Sequence, residues 1–397
     1  MQLTLPFAVQ NILQSLTASG FSAFAVGGCV RDALQGKPPA DWDIATSASP
    51  DEMRRVFAGQ TLLSTGEQHG TLTLLYNNTP YEITTFRTDG VYTDGRHPGT
   101  VSFVADIVQD LARRDFTVNA MAYHPATGVI DPFGGRQDLQ AKLLRAVGCA
   151  SQRFAEDALR ILRGVRFAAR GQMTVKVSTA AAMLRAAHTL QKIAPERIGA
   201  ELAGLLLAEK PGTTMAQFAA VLAAAVQAPQ KSNVRLLKAA DALLPSAQIA
   251  RWALLCTALC CPAQPLLVRL GRGKAFARQV AAVQQYSLPK NKQADVAARY
   301  LLHTLGTPCA LAWLALQNAV QNDVKSIEKS VEKAIEENAC VSLGQLQING
   351  SDAVQAGLQG PCIQAALQAA LAAVLDGTLP NERIALLRFL QQHQQAE

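Results

Sequence analysis

The sequence predicts an α+β protein: an N-terminal mixed-sheet head over residues 1–148, followed by an all-helical remainder. Three observations lead there. The β-rich runs, such as Phe24-Ala25-Val26 and residues 70–75 and 81–87, all precede Gly148. Beyond it, segments rich in Ala, Leu and Gln are punctuated at Pro195, Pro211, Pro229, Pro245, Pro262, Pro289 and Pro308 without a sustained heptad, the pattern of a short-loop helical array. The charge changes at the same place. Residues 1–150 carry 11 Lys and Arg against 14 Asp and Glu, whereas residues 151–397 carry 26 against 16.

At 397 residues, 49% hydrophobic and 17% charged, the chain is globular and long enough for two or more domains. Residues 5–16 are too short and too polar to span a membrane, and no basic-then-apolar signal precedes a cleavage site, so a cytoplasmic protein is expected. The eight cysteines are scattered. Cys256, Cys260 and Cys261 lack a partner pair of ligating residues, and they read as small core residues rather than a zinc or disulfide framework. Residues 231–299 hold 11 basic and 2 acidic side chains, which suits a polyanion lying along the helical part and presenting one end to an acidic head.

In chain order, residues 2–20 read as an amphipathic helix ending at Gly20. Phe24-Ala25-Val26 is a strand that runs into Gly27-Gly28, and a helix begins over residues 30–34. Glycines at such a turn let backbone N–H groups approach a phosphate, the helix start favours an anion, and Arg31 adds a cation. The alternation Asp41-Trp42-Asp43-Ile44 puts Asp41 and Asp43 on one face of a strand, about 7 Å apart. Two carboxylates so placed can share a pair of Mg²⁺ ions that polarise an α-phosphate, activate a 3′-hydroxyl and stabilise leaving pyrophosphate. Each signal is common alone; the Gly-Gly turn shortly before Asp-x-Asp points to nucleotidyl transfer.

Residues 50–57 read as a helix capped by Ser49 or Ser47. Residues 70–75 and 81–87 form a hairpin around Asn77-Asn78-Thr79-Pro80. Glu82 alternates with apolar neighbours, and is either a third acid beside the Asp pair or a solvent-facing strand residue. Residues 87–100 are a Gly-rich, charged loop of the kind that often carries function; His97 within it reads as a surface or RNA-contact residue. A short helix precedes Arg113, residues 130–135 form a turn, and residues 143–147 read as the last strand of the head.

Residues 156–170 read as one helix with Asp157, Arg160 and Arg163 along one side and Ile161, Leu162 and Val165 packing inward. Taken alone, such a stripe is more often a solvated face with ion pairs. It also has a chemical reading. Cytosine and adenine offer an exocyclic amine beside an unprotonated ring nitrogen; uracil and guanine offer a carbonyl beside an N–H. An aspartate acceptor next to an arginine donor matches the first pair and opposes the second. Further on, Gly271-Arg272-Gly273-Lys274 is a basic turn without the spacing of a phosphate loop, and residues 325–338 form a solvated charged helix.

Five segments, in order, carry a resemblance: GGCVRD (27–32), DWDIAT (41–46), RRDFTVNAM (113–121), EDALR (156–160) and PERIGAEL (195–202). Together they resemble the motifs of the class II CCA-adding enzymes and bacterial poly(A) polymerases, and are specific as a set. Residues 348–382 resemble the tail of bacterial CCA-adding enzymes; residues 205–340 carry no recognised motif. The resemblance implies a nucleotidyltransferase head (1–148), a helical neck with a base-selecting helix (149–210), an RNA-binding body (211–340) and a tRNA-binding tail (341–397). It implies template-independent addition or repair of the 3′-terminal CCA of tRNA from CTP and ATP, with Mg²⁺ as cofactor and the tRNA 3′ end as partner. Asp41 and Asp43 would be the catalytic metal ligands. Gly28, Arg31 and Arg114 would hold the triphosphate, Asp115 and Asn119 the ribose hydroxyls. Asp157 and Arg160 would select the base, supported by Arg163 and Arg166, with Arg170 turned to solvent or RNA. The full-length loop 87–100 favours complete CCA addition. The alternatives are a bacterial poly(A) polymerase, or an A-adding or CC-adding specialist. An inactive RNA-binding relative is opposed by the intact acidic pair, and a small-molecule nucleotidyltransferase by the basic helical part.

Overall fold

In the computed structural model, described at residues 2–64, 66–90, 101–229 and 232–394, the head is built on a seven-stranded sheet. Its first strands are β1 (Ala23–Val26), β2 (Ile44–Thr46), β3 (Thr61–Leu63), β4 (Thr71–Tyr76) and β5 (Thr79–Thr85). A separate pair, β6 (Arg87–Asp89) and β7 (Val101–Phe103), precedes β8 (Ala122–His124) and β9 (Gly128–Ile130). The spatial order is β3-β4-β5-β2-β1-β8-β9, with β2 parallel to β5 and every other neighbour antiparallel. The expected hairpin is β4–β5. Asn77 and Asn78 turn it with φ of 49° and 62°, a left-handed pair that asparagine tolerates and that matches the twist of the strands.

The helices of the head are α1 (Phe7–Ala18), α2 (Gly28–Leu34), α3 (Pro50–Val56), α4 (Ile107–Ala112) and α5 (Gly135–Gln140). The first is shorter than expected, because Pro6, with ψ 147°, is still extended. Ser49 caps α3 in a reciprocal box with Glu52. Ile107 and Leu111 of α4 share a buried cluster with Val26 of β1, Ala45 of β2 and Ala122 of β8. That packing sets the end of α4 beside the strands that carry the glycine turn and the acidic pair.

Helices α6 (Ala150–Glu156), α7 (Leu159–Gly171), α8 (Val177–Ala186), α9 (Pro195–Leu206), α10 (Gly212–Gln217) and α11 (Ala219–Val226) follow within the same compact unit, residues 1–234. The neck is not wholly helical. Thr174–Val175 forms a two-residue strand parallel to Leu143–Leu144, and the expected strand over 143–147 shrinks to that pair plus one bridge, Phe116 to Ala146. Ile161, Leu162 and Val165 are buried as expected. Gly164 lets α7 close on the head, since a Cβ there would lie 2.8 Å from the Phe116 ring.

The second unit, residues 235–397, is helical. After α12 (Val234–Lys238) at the boundary come α13 (Gln248–Ala258), α14 (Ala263–Arg269), α15 (Lys274–Gln285), α16 (Ala294–Ala319), α17 (Lys325–Glu336), α18 (Gly350–Gln355), α19 (Pro361–Asp376) and α20 (Arg383–Gln394). Helix α16 kinks at Gly306 (φ 70°), two residues before Pro308. The last three helices share a hydrophobic cluster that includes Ile348, Ala370, Leu371, Leu386 and Leu390. Cys256 and Cys261 are buried, but Cys260 is exposed, at a left-handed position (φ 55°) where the chain leaves α13. Among the described residues no single helix is long and apolar enough to cross a membrane.

Candidate active site

Strand β1 ends at Gly27, whose φ of 79° is a conformation that side chains other than glycine rarely adopt. A Cβ there would sit 2.8 Å from Nη1 of Arg114, so the glycine also makes room for that guanidinium. The next residue opens α2, which projects Arg31. Its Nε donates to Asp32 (2.8 Å) and its Nη1 to Oδ1 of Asn119 (2.6 Å).

Asp41 and Asp43 lie in the extended lead-in to β2 rather than inside the strand, which begins at Ile44. The pairing nonetheless continues through Asp43, whose carbonyl accepts from Val26 N at 3.0 Å. Asp41 is exposed and Asp43 partly buried. The Asp43 carboxyl is pushed up to about 6, first by burial and then by the negative charge of Asp41; Arg114 pulls it down and Glu82 adds to the rise. Glu82 is thus an exposed residue of β5, beside β2, whose charge Asp43 feels. Among the described residues no group of three or more ligating side chains converges on one point. Two crowded carboxylates fit a hard divalent cation that takes its remaining ligands from water and substrate phosphates.

Helix α4 supplies the cationic wall. Asp110, 1% exposed at its side chain, accepts from Nε of Arg113 (2.9 Å) and Nη2 of Arg114 (3.1 Å). Burial alone would raise its carboxyl, but the two guanidiniums outweigh that and hold it below the usual range. A 3-10 turn over Thr117–Asn119 then sets Asn119 against Asp115, with Nδ2 donating to Oδ1 at 3.2 Å. The other oxygen of Asp115 accepts from Nε of Arg163 at 2.8 Å. Asp115, too, is driven upward by burial and held low by Arg163 and Asn119.

The expected single helix over 156–170 is broken at one of its key residues. Asp157 is extended (φ −138°, ψ 106°) between α6 and α7, and its Oδ1 accepts from Leu159 N at 2.9 Å. An aspartate that captures a backbone N–H at a helix start competes with helix continuation, so Asp157 ends α6 and its side chain holds the N–H of Leu159, the first residue of α7. The stripe on α7 therefore starts at Arg160. Oδ2 of Asp157 accepts from Nη2 of Arg197 on α9 at 3.0 Å. Arg160 reaches Glu156 (2.5 Å) and the carbonyl of Arg113 (3.0 Å). Arg166 pairs with Glu201 of α9 (2.6 Å), and Arg170 is exposed.

All eleven candidate residues line one cavity of about 470 Å³: Gly28, Arg31, Asp41, Asp43, Arg114, Asp115, Asn119, Asp157, Arg160, Arg163 and Arg166. Gly27, Arg113, Leu159, Phe167 and Arg197 complete its lining. Of these, Arg197 and Phe167 go beyond the residues expected from sequence: Arg197 lies within PERIGAEL, and Phe167 on α7, seven residues past EDALR. The loop 91–100, with His97, is outside the described residues.

The Poly A polymerase head domain family matches residues 23–145, and the tRNA nucleotidyltransferase domain 2 family matches residues 245–390. The CCA-adding enzyme of Levilactobacillus brevis is 36% identical over 391 residues, 95% of each chain. The chain belongs to the CCA-adding enzymes. The Streptococcus sanguinis CCA-adding enzyme is 49% identical over 208 residues, and there the chain spans about half the relative's length, 52%. The crystal structure of the Bacillus stearothermophilus CCA-adding enzyme in complex with CTP superposes with a TM-score of 0.78 over 99% of each chain, at 29% identity. The Thermotoga maritima CCA-adding enzyme complexed with tRNA shares the fold, with a TM-score of 0.69 at 20% identity over 96% of this chain and 94% of that one. Enzymes of this family use divalent metals. Seven arginines and four aspartates line the cavity here, an excess of cations that suits a triphosphate.

Proposed function

We propose that this chain, a CCA-adding enzyme by family, builds or repairs the 3′-terminal CCA of tRNA from CTP and ATP by template-independent transfer that releases pyrophosphate. The observation that carries the reading is the shared cavity: an acidic pair, a group of guanidiniums and the Asp157/Arg160 pair face one nucleotide-sized space. Gly28 and the cations Arg31 and Arg114 hold the triphosphate. Asp115 and Asn119 take the ribose hydroxyls, which selects ribonucleotides. Asp157 accepts from the exocyclic amine of cytosine or adenine, and a free N–H of Arg160 donates to the ring nitrogen. Uracil or guanine would face acceptor with acceptor and donor with donor, leaving polar groups unpaired away from water. Asp41 and Asp43 would hold Mg²⁺, which supplies charge neutralisation at the α-phosphate and a more acidic 3′-hydroxyl. The tRNA 3′-hydroxyl attacks in line, and no protein nucleophile is needed.

In this reading residues 1–148 are the catalytic head and 149–210 the neck, with the body (211–340) and tail (341–397) carrying the tRNA. The basic stretch 231–299 supports that division. The cytoplasm, where tRNA and nucleoside triphosphates meet, is the compartment that fits. The test is mass analysis of tRNA lacking CCA after incubation with CTP and ATP, singly and together. A product that stops at CCA is expected. A long A tract would identify a poly(A) polymerase, and a halt after CC, or A added only to a CC end, a specialist.

A further inference from the structure

Phe167 of α7 lies where cations from two elements meet. Its ring centroid is 4.4 Å from Cζ of Arg166, 5.2 Å from that of Arg163 and 5.3 Å from that of Arg31 on α2. The ring is only partly buried and lines the nucleotide cavity. Behind it, Phe116 meets it edge-on (centroids 6.1 Å apart, planes at 81°), so the ring is braced against the buried core of the head. Each guanidinium is also tied to a carboxylate: Arg31 to Asp32, Arg163 to Asp115 and Arg166 to Glu201. Helix α9 is cut away for the last of these, since a Cβ on Gly204 would come within 2.5 Å of Cδ of Arg166.

Three like charges held this close repel one another. A further carboxylate among them would relieve the repulsion, but it would cancel the charge that a polyanion needs. An aliphatic side chain would offer no attraction. An aromatic ring attracts cations through its quadrupole and leaves their charge intact. We propose that Phe167 is a positioning residue for the incoming triphosphate: it gathers Arg31, Arg163 and Arg166 into one cationic surface and joins the grip of the head to the base-reading helix. The inference rests on the reading of this cavity as the nucleotide site, but its test does not depend on which nucleotides are added.

The experiment is calorimetric titration of the full-length chain with inorganic tripolyphosphate and, separately, with CTP. It compares the native protein with Phe167→Leu, Phe167→Met and Phe167→Tyr. Leu and Met stay apolar and lose the ring; both ligands bind about tenfold more weakly, by the same factor. Tyr keeps the ring and stays within about twofold of the native protein. In primer extension, Phe167→Leu raises KM for CTP and ATP together, with kcat and the preference for CTP over UTP unchanged. A merely structural role would lower the melting temperature and the active fraction without moving KM. The proposal is overturned if Phe167→Leu, or Phe167→Met should the first not fold, binds tripolyphosphate as tightly as the native protein. It is also overturned if Tyr loses as much as Leu, or if the native protein does not bind tripolyphosphate. A native protein that binds tripolyphosphate but extends no tRNA would sink the proposed function and leave the role of the ring standing.

Discussion

Replacing Arg197 by methionine tests whether the base-reading aspartate depends on its partner from α9. Asp157 is held by two donors, Leu159 N at 2.9 Å and Arg197 Nη2 at 3.0 Å. The side chains of Arg197 and Asp157 are 25% and 16% exposed. The pair therefore lies between an exposed ion pair, worth about 0–1 kcal/mol, and a buried one whose breakage costs about 3–5 kcal/mol. A loss of about 1.5–2 kcal/mol falls mainly on the orientation of the carboxylate, the group that meets cytosine and uracil differently. At about 1.4 kcal/mol per tenfold, the preference for CTP over UTP in kcat/KM drops roughly 10–30-fold, and ATP over GTP follows. The assay is incorporation of each of the four nucleotides, supplied singly, onto tRNA ends awaiting C or A. Arg197→Lys keeps the charge and recovers part of the preference. If Arg197→Met holds both preferences within about twofold while Asp157→Asn loses them, the reasoning is refuted. The Leu159 N–H would then be enough to hold the aspartate in place.

Three further outcomes follow from the same geometry. Asp43→Asn removes one of the two carboxylates and lowers incorporation about a thousandfold or more, on the scale of losing a main electrostatic stabiliser, while tripolyphosphate still binds in metal-free buffer; substantial activity in steady-state extension would contradict the metal assignment. Gly27→Ala combines a φ of 79° with a Cβ 2.8 Å from Arg114 Nη1, so KM for CTP and ATP rises about tenfold through displacement of that arginine. An unchanged KM would mean that Arg114 does not grip the phosphates from this position. Asp110→Asn unbinds Arg113 and Arg114 and destabilises the head by about 2–3 kcal/mol at neutral pH, read by chemical denaturation. Because the folded carboxyl of Asp110 lies below its ordinary value of 3.8, its contribution is complete above that value and fades as the pH falls beneath it. The stability gap between native and variant proteins therefore narrows only in acid below that point, and a gap that closes on the alkaline side would reverse the sign of the argument.

Much of the head was legible because its signals are local. Period-2 runs, the Asn77-Asn78 turn, the Ser49 cap and the glycines after β1 each act over a few residues, where turn chemistry and backbone sterics decide the outcome. The inward face of α7 followed from helical spacing in the same way. The eleven candidate residues read from the sequence line the same cavity.

Three things belonged to the tertiary structure alone. Asp157 leaves the helix that its spacing predicts, because a backbone N–H at 159 takes one of its oxygens and a guanidinium forty residues on takes the other. Arg31 meets Phe167 because the fold brings a side chain of α2 to a ring on α7, and no periodicity along the chain encodes that pairing. Cys260 turns outward where the backbone goes left-handed. Composition and spacing determine which groups the chain can offer and which face of an element they occupy. The partner each charge takes is decided only when elements distant in sequence come side by side, since an ion pair depends on separation in space and on how much water is left around it.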